Sequence, residues 1–289
     1  MPSDNLLEKV KELREITGVG FKDCKNAIDE NKGDIEKSIE YLRKKGIAKA
    51  NKRMGRVAAD GLICVYEKDK NISIIELNCE TDFVAKNDDF INFAEEVCFI
   101  AFNQKGNMDK ILSSEMKNKK KVETTLIDLI SKIGEKITLR RSEFIDSSNT
   151  INFYYLHSSI KKNIGKLGVV LSLETNKKEN EILDFGKNLS MHIAASSPLS
   201  IDKEDLDQKI LQKEKDIITE ELKNSGKDPK IVEKIAMGKL NKYIEESTLL
   251  NQEWIMEPKK KVKEILSQTA GKDKIKIKKF VRFKVGEGL

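Results

Sequence analysis

Apolar positions recur at helical spacing from the first residues of the chain. Leu6, Leu7, Val10 and Leu13 share one helix face, and Gly18 is placed to stop that helix after Thr17. Phe21, Cys24, Ala27 and Ile28 form a second face. Gly33 then breaks the pattern, Asp34 can cap a third helix, and Ile35, Ile39 and Leu42 line its inner side as far as Gly46. Three such stripes predict a small three-helix bundle, near the lower size limit for a self-sufficient core. The stretch IAKANKRMGR that follows is basic and weakly apolar, and reads as a linker.

The period then changes from helical to alternating. In GLICVYEKDKNISIIELNC two β-rich runs flank the polar turn Glu67–Asn71, which predicts a hairpin. A helix follows with Phe90, Phe93, Ala94, Val97 and Ala101 on one stripe, then a helix around Val122–Ile133 and a strand, KITLRRSEFI. The order repeats: INFYYLH and KLGVVLSLE predict a second hairpin, and Ile182, Phe185, Leu189 and Ile193 a second amphipathic helix. Hairpin-then-helix at about 61–102 and again at 151–196 implies two related halves of one α+β core.

From 202 to 247 the pattern is helical and highly charged. One stripe holds Ile210, Ile217, Ile218 and Leu222, another Ile231, Ile235, Leu240 and Ile244. Pro229 between them suits the first turn of a new helix. So thin a seam predicts a protruding antiparallel hairpin, of the kind that buries its apolar side against a partner or a second copy. A short helix at Lys259–Leu266 and a strand, IKIKKFVRFKV, close the chain. The expected organisation is a bundle with its linker at 1–56, a first half-core at 57–146, a second half-core at 147–201 and 248–289, and a helical arm at 202–247 inserted in the second half.

Composition narrows the chemistry. Of 289 residues, 35% are charged and 6% aromatic, a helix-rich profile with no apolar run near the ~20 residues that span a bilayer. The first residues, MPSDNLLEKV, lack the basic-then-apolar order of a secretory signal, so a cytoplasmic location is expected. The net charge of +6 is spread over mixed Glu and Lys faces. Basic clusters at Lys49–Arg56, Lys117–Lys121, Lys259–Lys263 and Lys272–Lys279 carry no interleaved aromatics, so no direct contact with nucleic acid is expected. Cys24, Cys64, Cys79 and Cys98 form no CxxC pair and sit among apolar residues. With only His157 and His192 beside them there is little material for a metal site. Cys79 with one of these histidines is a nucleophilic pair on paper only. No cofactor is expected.

One connection departs from its surroundings. ELNCETDFVAKNDDF runs from a buried strand into an amphipathic helix, with Phe83 and Val84 in what should be a polar link. The equivalent link in the second half, LETNKKENEIL, is polar throughout, so the architecture closes without an aromatic there. Phe83 does not extend the following stripe either, because Lys86 and Asn87 stand where that stripe would need apolar residues. Two readings stay open: packing under the loop as a helix staple, or display toward another molecule.

LREITGVGFKDCKNAI, GDIEKSIEYLRKKG, VAADG, NCETDFVAKNDDF, MHIAASSP and RFKVGEG, in this order, resemble the elongation factor Ts family, the nucleotide-exchange factors of elongation factor Tu. The resemblance covers almost the whole chain. It implies that the segment Thr81, Asp82, Phe83 and Val84 enters the GTPase domain of elongation factor Tu near its magnesium and nucleotide. Phe83 would be the apolar wedge, Asp82 its polar neighbour, and Thr81 the residue shaping the turn. Arg14, Thr17 and Gly18 match the family's first-helix motif, on a bundle of ubiquitin-associated-like shape that contacts the same partner. His157 matches a histidine on the second half of the core, and the arm matches one used for self-association in some members, which implies a homodimer. The chain departs from the family in three places. Phe21 and Lys22 stand where two methionines are usual. The loop SSIKKNIGKLG after His157 is longer and more basic. The sequence reaches Leu289 directly after VGEG, where some members continue into a further helical module, so a reduced interface is expected.

Overall fold

The computed structural model describes residues 3–17, 19–53, 55–223 and 229–289. Helices α1 (Ser3–Thr17), α2 (Phe21–Glu30) and α3 (Ile35–Arg53) form the N-terminal bundle. Val10, Leu13, Cys24, Ala27, Ile28 and Leu42 make its core. Leu6, Leu7 and Phe21, expected on the inner faces, are exposed. Asp34 caps α3, its carboxylate accepting from the Lys37 amide at 3.0 Å. The stretch expected as a linker is helical: α3 runs on through it to Arg53. Ala, Lys and Arg are good helix formers, so the backbone continues without an apolar stripe to announce it.

Strands β1 (Asp60–Lys68) and β2 (Asn71–Cys79) form the first hairpin. Its turn is Asp69–Lys70, both in the left-handed region at φ 50° and 62°, which matches the twist of a two-residue hairpin. Helices α4 (Asp82–Ala85), α5 (Asp88–Asn103), α6 (Met108–Ser113) and α7 (Val122–Ile133) follow, then β3 (Thr138–Ile145). The second half begins with β4 (Ile151–His157), β5 (Ile164–Gly165), β6 (Leu167–Thr175) and α8 (Glu179–Ser196). After the arm helices α9 (Gln208–Lys223) and α10 (Pro229–Ser247) come β7 (Glu253–Trp254), β8 (Glu257–Lys261), α11 (Val262–Ala270) and β9 (Ile275–Lys284). The helix expected from Lys259 therefore begins at Val262, because Glu257–Lys261 is taken up in pairing with β7.

The strands form a sheet of order β3-β2-β1-β5, a second of order β4-β6-β9, and the small β7-β8 pair. The two larger sheets lie face to face. Alternation on each strand divides the core: Leu62, Cys64, Ile75 and Leu77 face the helices of the first half, while Ile63, Val65, Ile72 and Ile74 meet Val170, Val281 and Phe283 of the other sheet. On the far side Val169, Leu171 and Leu173 pack against α8. At Gly168 there is no room for a side chain, since a Cβ would stand 2.7 Å from Ile63 Cγ2 of the other sheet. The two-residue β5, from the loop after His157, pairs with β1 of the other half.

Glu76 is buried where the sheets meet. It accepts from Arg140 Nη1 at 3.1 Å, Arg141 Nε at 2.5 Å, Asn78 Nδ2 at 3.0 Å and the Gly286 amide at 2.9 Å. Burial alone would raise its pKa, but the Gly286 and Asn78 donors and the Arg141 charge outweigh that and hold it below the usual carboxylate range.

In the arm, Ile218 and Leu222 are buried, whereas Ile210, Ile217 and Ile231 are exposed, as is Met237. Adjacent helical residues point ~100° apart, so Ile217 and Ile218 cannot both face the neighbouring helix. The arm's two ends are stitched together: the Leu199 amide donates to Ser247 O at 2.8 Å and the Leu249 amide to Ser200 O at 2.9 Å. Beside this junction His192 is fully buried against Trp254, ring centroids 5.3 Å apart. Its Nε2 lies 3.0 Å from Gln252 Oε1, and Gln252 Nε2 donates to Glu246 O at 2.7 Å.

Burial pushes the His192 pKa below its ordinary value. The unfolded chain takes up this proton near pH ~6.5 while the folded chain does not. Stability from this group is therefore present above that pH and falls as pH drops through it. Thermal midpoints are expected to decline from about pH 7.5 to about pH 5.5. His192→Gln should flatten that slope, and an unchanged slope would assign the pH dependence to another group.

Candidate functional site

The link from β2 to α5 is built by local capping and by one long-range carboxylate. The Thr81 side chain caps the single turn of α4, accepting from the Val84 amide at 3.5 Å. The Cys79 thiol donates to Thr81 O at 3.1 Å. Asn87 caps α5, accepting from the Asp89 and Phe90 amides at 3.0 and 3.4 Å. From 54 residues along the chain, Glu135 Oε1 accepts from Thr81 Oγ1 at 2.7 Å. Its Oε2 accepts from the Thr81 amide at 3.0 Å and the Glu80 amide at 3.1 Å. Glu80 returns the contact, accepting from the Lys136 amide at 2.7 Å and pairing with Arg56 at 3.3 Å.

This turn resolves Val84 and Phe83 into opposite roles. Val84 is buried in the first-half core beside Ala85 and does not face outward. Phe83 is 81% exposed, against 44% for Phe21 and Phe99, the other aromatics among the exposed large hydrophobics. Packing under the loop therefore falls to Val84, and Phe83 is on display. Next to it Asp82 pairs with Lys86 at 2.8 Å, and that ammonium draws the carboxyl below its ordinary range.

His157, exposed at the end of β4, has Nδ1 3.0 Å from the Tyr155 hydroxyl. It reaches the turn's end of the molecule through Lys166. His157 O accepts from the Lys166 amide at 3.1 Å. Lys166 Nζ donates to Gly61 O at 2.9 Å and pairs with Asp60, which lies opposite Cys79 in the hairpin. Arg14 is exposed on α1. Thr17 donates to Leu13 O at 2.6 Å and lines a cavity of about 150 Å³ with Ile16 and Leu42 of the bundle and Asp128 and Ser131 of α7. Gly18 lies outside the described residues. The structure thus brings Thr81, Asp82 and Phe83 together, links the His157 backbone to that end of the molecule through Lys166 and Asp60, and sets Thr17 in the seam between bundle and core.

Glu135 and Lys136 were not singled out by the sequence pattern. The only local signal is Gly134, which ends α7 in the left-handed region at φ 92° and redirects the chain. Among the described residues no group of three or more His, Cys, Asp or Glu is placed to hold a metal ion, and no helix is long and apolar enough to cross a membrane.

Fold and turn together define an α+β protein with a displayed aromatic on a carboxylate-clamped turn. The family model described as elongation factor TS matches residues 80–287, which include the turn and Glu135. The elongation factor Ts of Bartonella henselae is 40% identical over 289 aligned positions, spanning 97% of this chain and 92% of that protein. Those of Methylorubrum extorquens and Nitrobacter hamburgensis are 40% and 38% identical with the same coverage. The chain belongs to the elongation factor Ts family.

All four cysteines are buried, and burial with the nearby Asp60 and Glu135 charges pushes the Cys79 thiol up to about 12. A thiol reagent at about pH 8 is expected to find no fast-reacting group in the native protein and all four after denaturation. Rapid native labelling of one cysteine would reveal a reactive thiol.

Proposed function

We propose that this protein is the guanine-nucleotide exchange factor of elongation factor Tu, acting in the cytoplasm by protein contact and without bond chemistry or cofactor of its own. The observation that carries this reading is Phe83, an aromatic left in solvent on a turn held by Glu135. An exchange factor works by binding the nucleotide-free partner better than the loaded one. By reciprocity, rebinding nucleotide weakens the factor's own hold and permits release. Inserting Phe83 into a pocket of the GTPase domain supplies such a difference if the pocket opens only when the magnesium and phosphate contacts are disturbed. Burying a Phe side chain contributes about 1.5–3 kcal/mol, a factor of roughly ten to a hundred. Asp82 brings a carboxylate beside a bound cation, where a local charge weighs heavily. Thr81 shapes the turn, and Val84 anchors it from within.

The bundle, of ubiquitin-associated-like shape, is proposed to meet the same partner through Arg14, Thr17 and Gly18, and the second half through His157. Neither nucleic acid nor membrane is a direct partner in this reading. The arm is proposed as a self-association element. Ile210, Ile217, Ile231 and Met237 remain exposed on it, which supports a partner of the arm's own kind.

Two outcomes follow. Phe83→Ala should slow GDP release from elongation factor Tu about thirtyfold in stopped flow, as for loss of an aromatic hot spot. Its folding stability should change by under about 0.5 kcal/mol, since the ring is exposed. Wild-type release by this variant would remove the wedge. For the arm, replacing residues 204–246 by a short linker should leave the core folded, because its ends already meet. Sedimentation should then show only a change of assembly state. Loss of the cooperative unfolding transition would show instead that the arm belongs to the core.

A further inference from the structure

We propose that Glu135 is the positioning residue of the exchange surface: it fixes the direction in which Phe83 points and ties that direction to helix α7. The inference rests on the exchange reading above for its consequence, but on geometry for its substance. Helix α4 has four residues, a single turn, and isolated turns of that length do not hold themselves. Its own closing hydrogen bonds are three, Ala85 to Thr81 O at 3.3 Å, Lys86 to Phe83 O at 3.2 Å and Asn87 to Val84 O at 3.0 Å. The shortest contact on the turn is external, Thr81 Oγ1 to Glu135 at 2.7 Å, with the Glu80 and Thr81 amides on the same carboxylate. Three donors converge on one side chain. A carboxylate meets that demand because both its oxygens only accept, and charge-assisted bonds are stronger than neutral ones.

What Glu135 is attached to matters equally. It follows Gly134, the left-handed cap that ends α7. Helix α7 packs against α3 of the bundle, closely enough that a Cβ on Gly46 would stand 2.9 Å from Ser131 Oγ. The adjacent Lys136 repeats the tie in the opposite sense, its amide bonding to Glu80 and its ammonium to Arg56 O at 2.8 Å. The turn bearing Phe83 is thus held from behind by the helix on which the N-terminal bundle rests. A bundle that docks on the same partner would set the angle of the wedge through α7 and Glu135.

The test is a double-mutant cycle read in two ways. GDP release from elongation factor Tu is measured against factor concentration for the wild type, Glu135→Gln, Phe83→Ala and the double variant, and amide hydrogen exchange is followed at residues 80 and 81 in the free proteins. Glu135→Gln, which places an NH₂ where a donor must be met, should lower the saturating release rate about tenfold through misplacement of the wedge. Its half-saturating concentration should stay within about twofold, since the other contacts remain. The same change in the Phe83→Ala background should have no further effect, and the amides of residues 80 and 81 should lose protection. Glu135→Asp, which keeps the charge with a shorter reach, should fall between.

An equal loss of rate in both backgrounds would make Glu135 a folding residue and overturn the proposal. So would retained amide protection in Glu135→Gln, whatever the release rates. Should Glu135→Gln fail to fold, Glu135→Asp carries the same comparison. If Phe83→Ala alone exchanges at the wild-type rate, the exchange reading falls, and the clamp then stands or falls on the amide protection.

Discussion

The hairpin of β1 and β2 is buried on both faces, and this constraint shapes the rest of the molecule. One face needs helices, supplied by α5 and α7, and the other needs a second sheet. Leu62 and Ile63, neighbours in sequence, therefore belong to different cores. Little side-chain surface on these strands remains for function. Display is pushed to the strand ends, and the connection from β2 to α5 is such an end. There Cys79 and Val84 still point inward and Asn87 already starts the next helix, while Phe83, just before Val84, meets solvent.

The same constraint explains the charges inside. Where the two sheets meet the C-terminal segment, Glu76 takes a position that alternation assigns to the inter-sheet face. A buried carboxylate is tolerated only with full compensation. Arg140 and Arg141 provide it and also donate to Glu287 O and Lys284 O. The guanidinium of Arg141 also covers the Phe283 ring at 4.1 Å. The closing strand is thereby pinned to β3 by polar contacts as well as by Val281 and Phe283.

Elements whose physics is local were legible in the sequence. The hairpins, α5 and α7 are written in the spacing of apolar residues. The absence of an aromatic in the second link makes Phe83 anomalous in the sequence itself. Its exposure needed the structure, since packing by Val84 and packing by Phe83 leave the same trace in a one-dimensional pattern. The extension of α3 was missed because IAKANKRMGR has helical propensity without a stripe. Strand β5 was missed because two residues make no pattern, and β8 because EPKKK has none of the β-branched or aromatic residues that mark strands. Glu135 was out of reach for a different reason. Its meaning lies in two backbone amides and a hydroxyl more than fifty residues away, and nothing around KIGEK announces them.

Strand β5 carries a last consequence. Its two residues come from the second half but complete the sheet of the first, beside Ile63 and Cys64. The loop that delivers it also bonds Asn163 O to the Val65 amide at 2.9 Å. The halves are therefore not two beads on a string: the second holds an edge of the first. To peel one away, the chain must first strip a strand from its neighbour and leave the outer edge of β1 without its partners. Mechanical load or thermal opening is thus shared across the junction. The ring displayed beyond the end of β2 is thereby carried on a frame tied together across its middle.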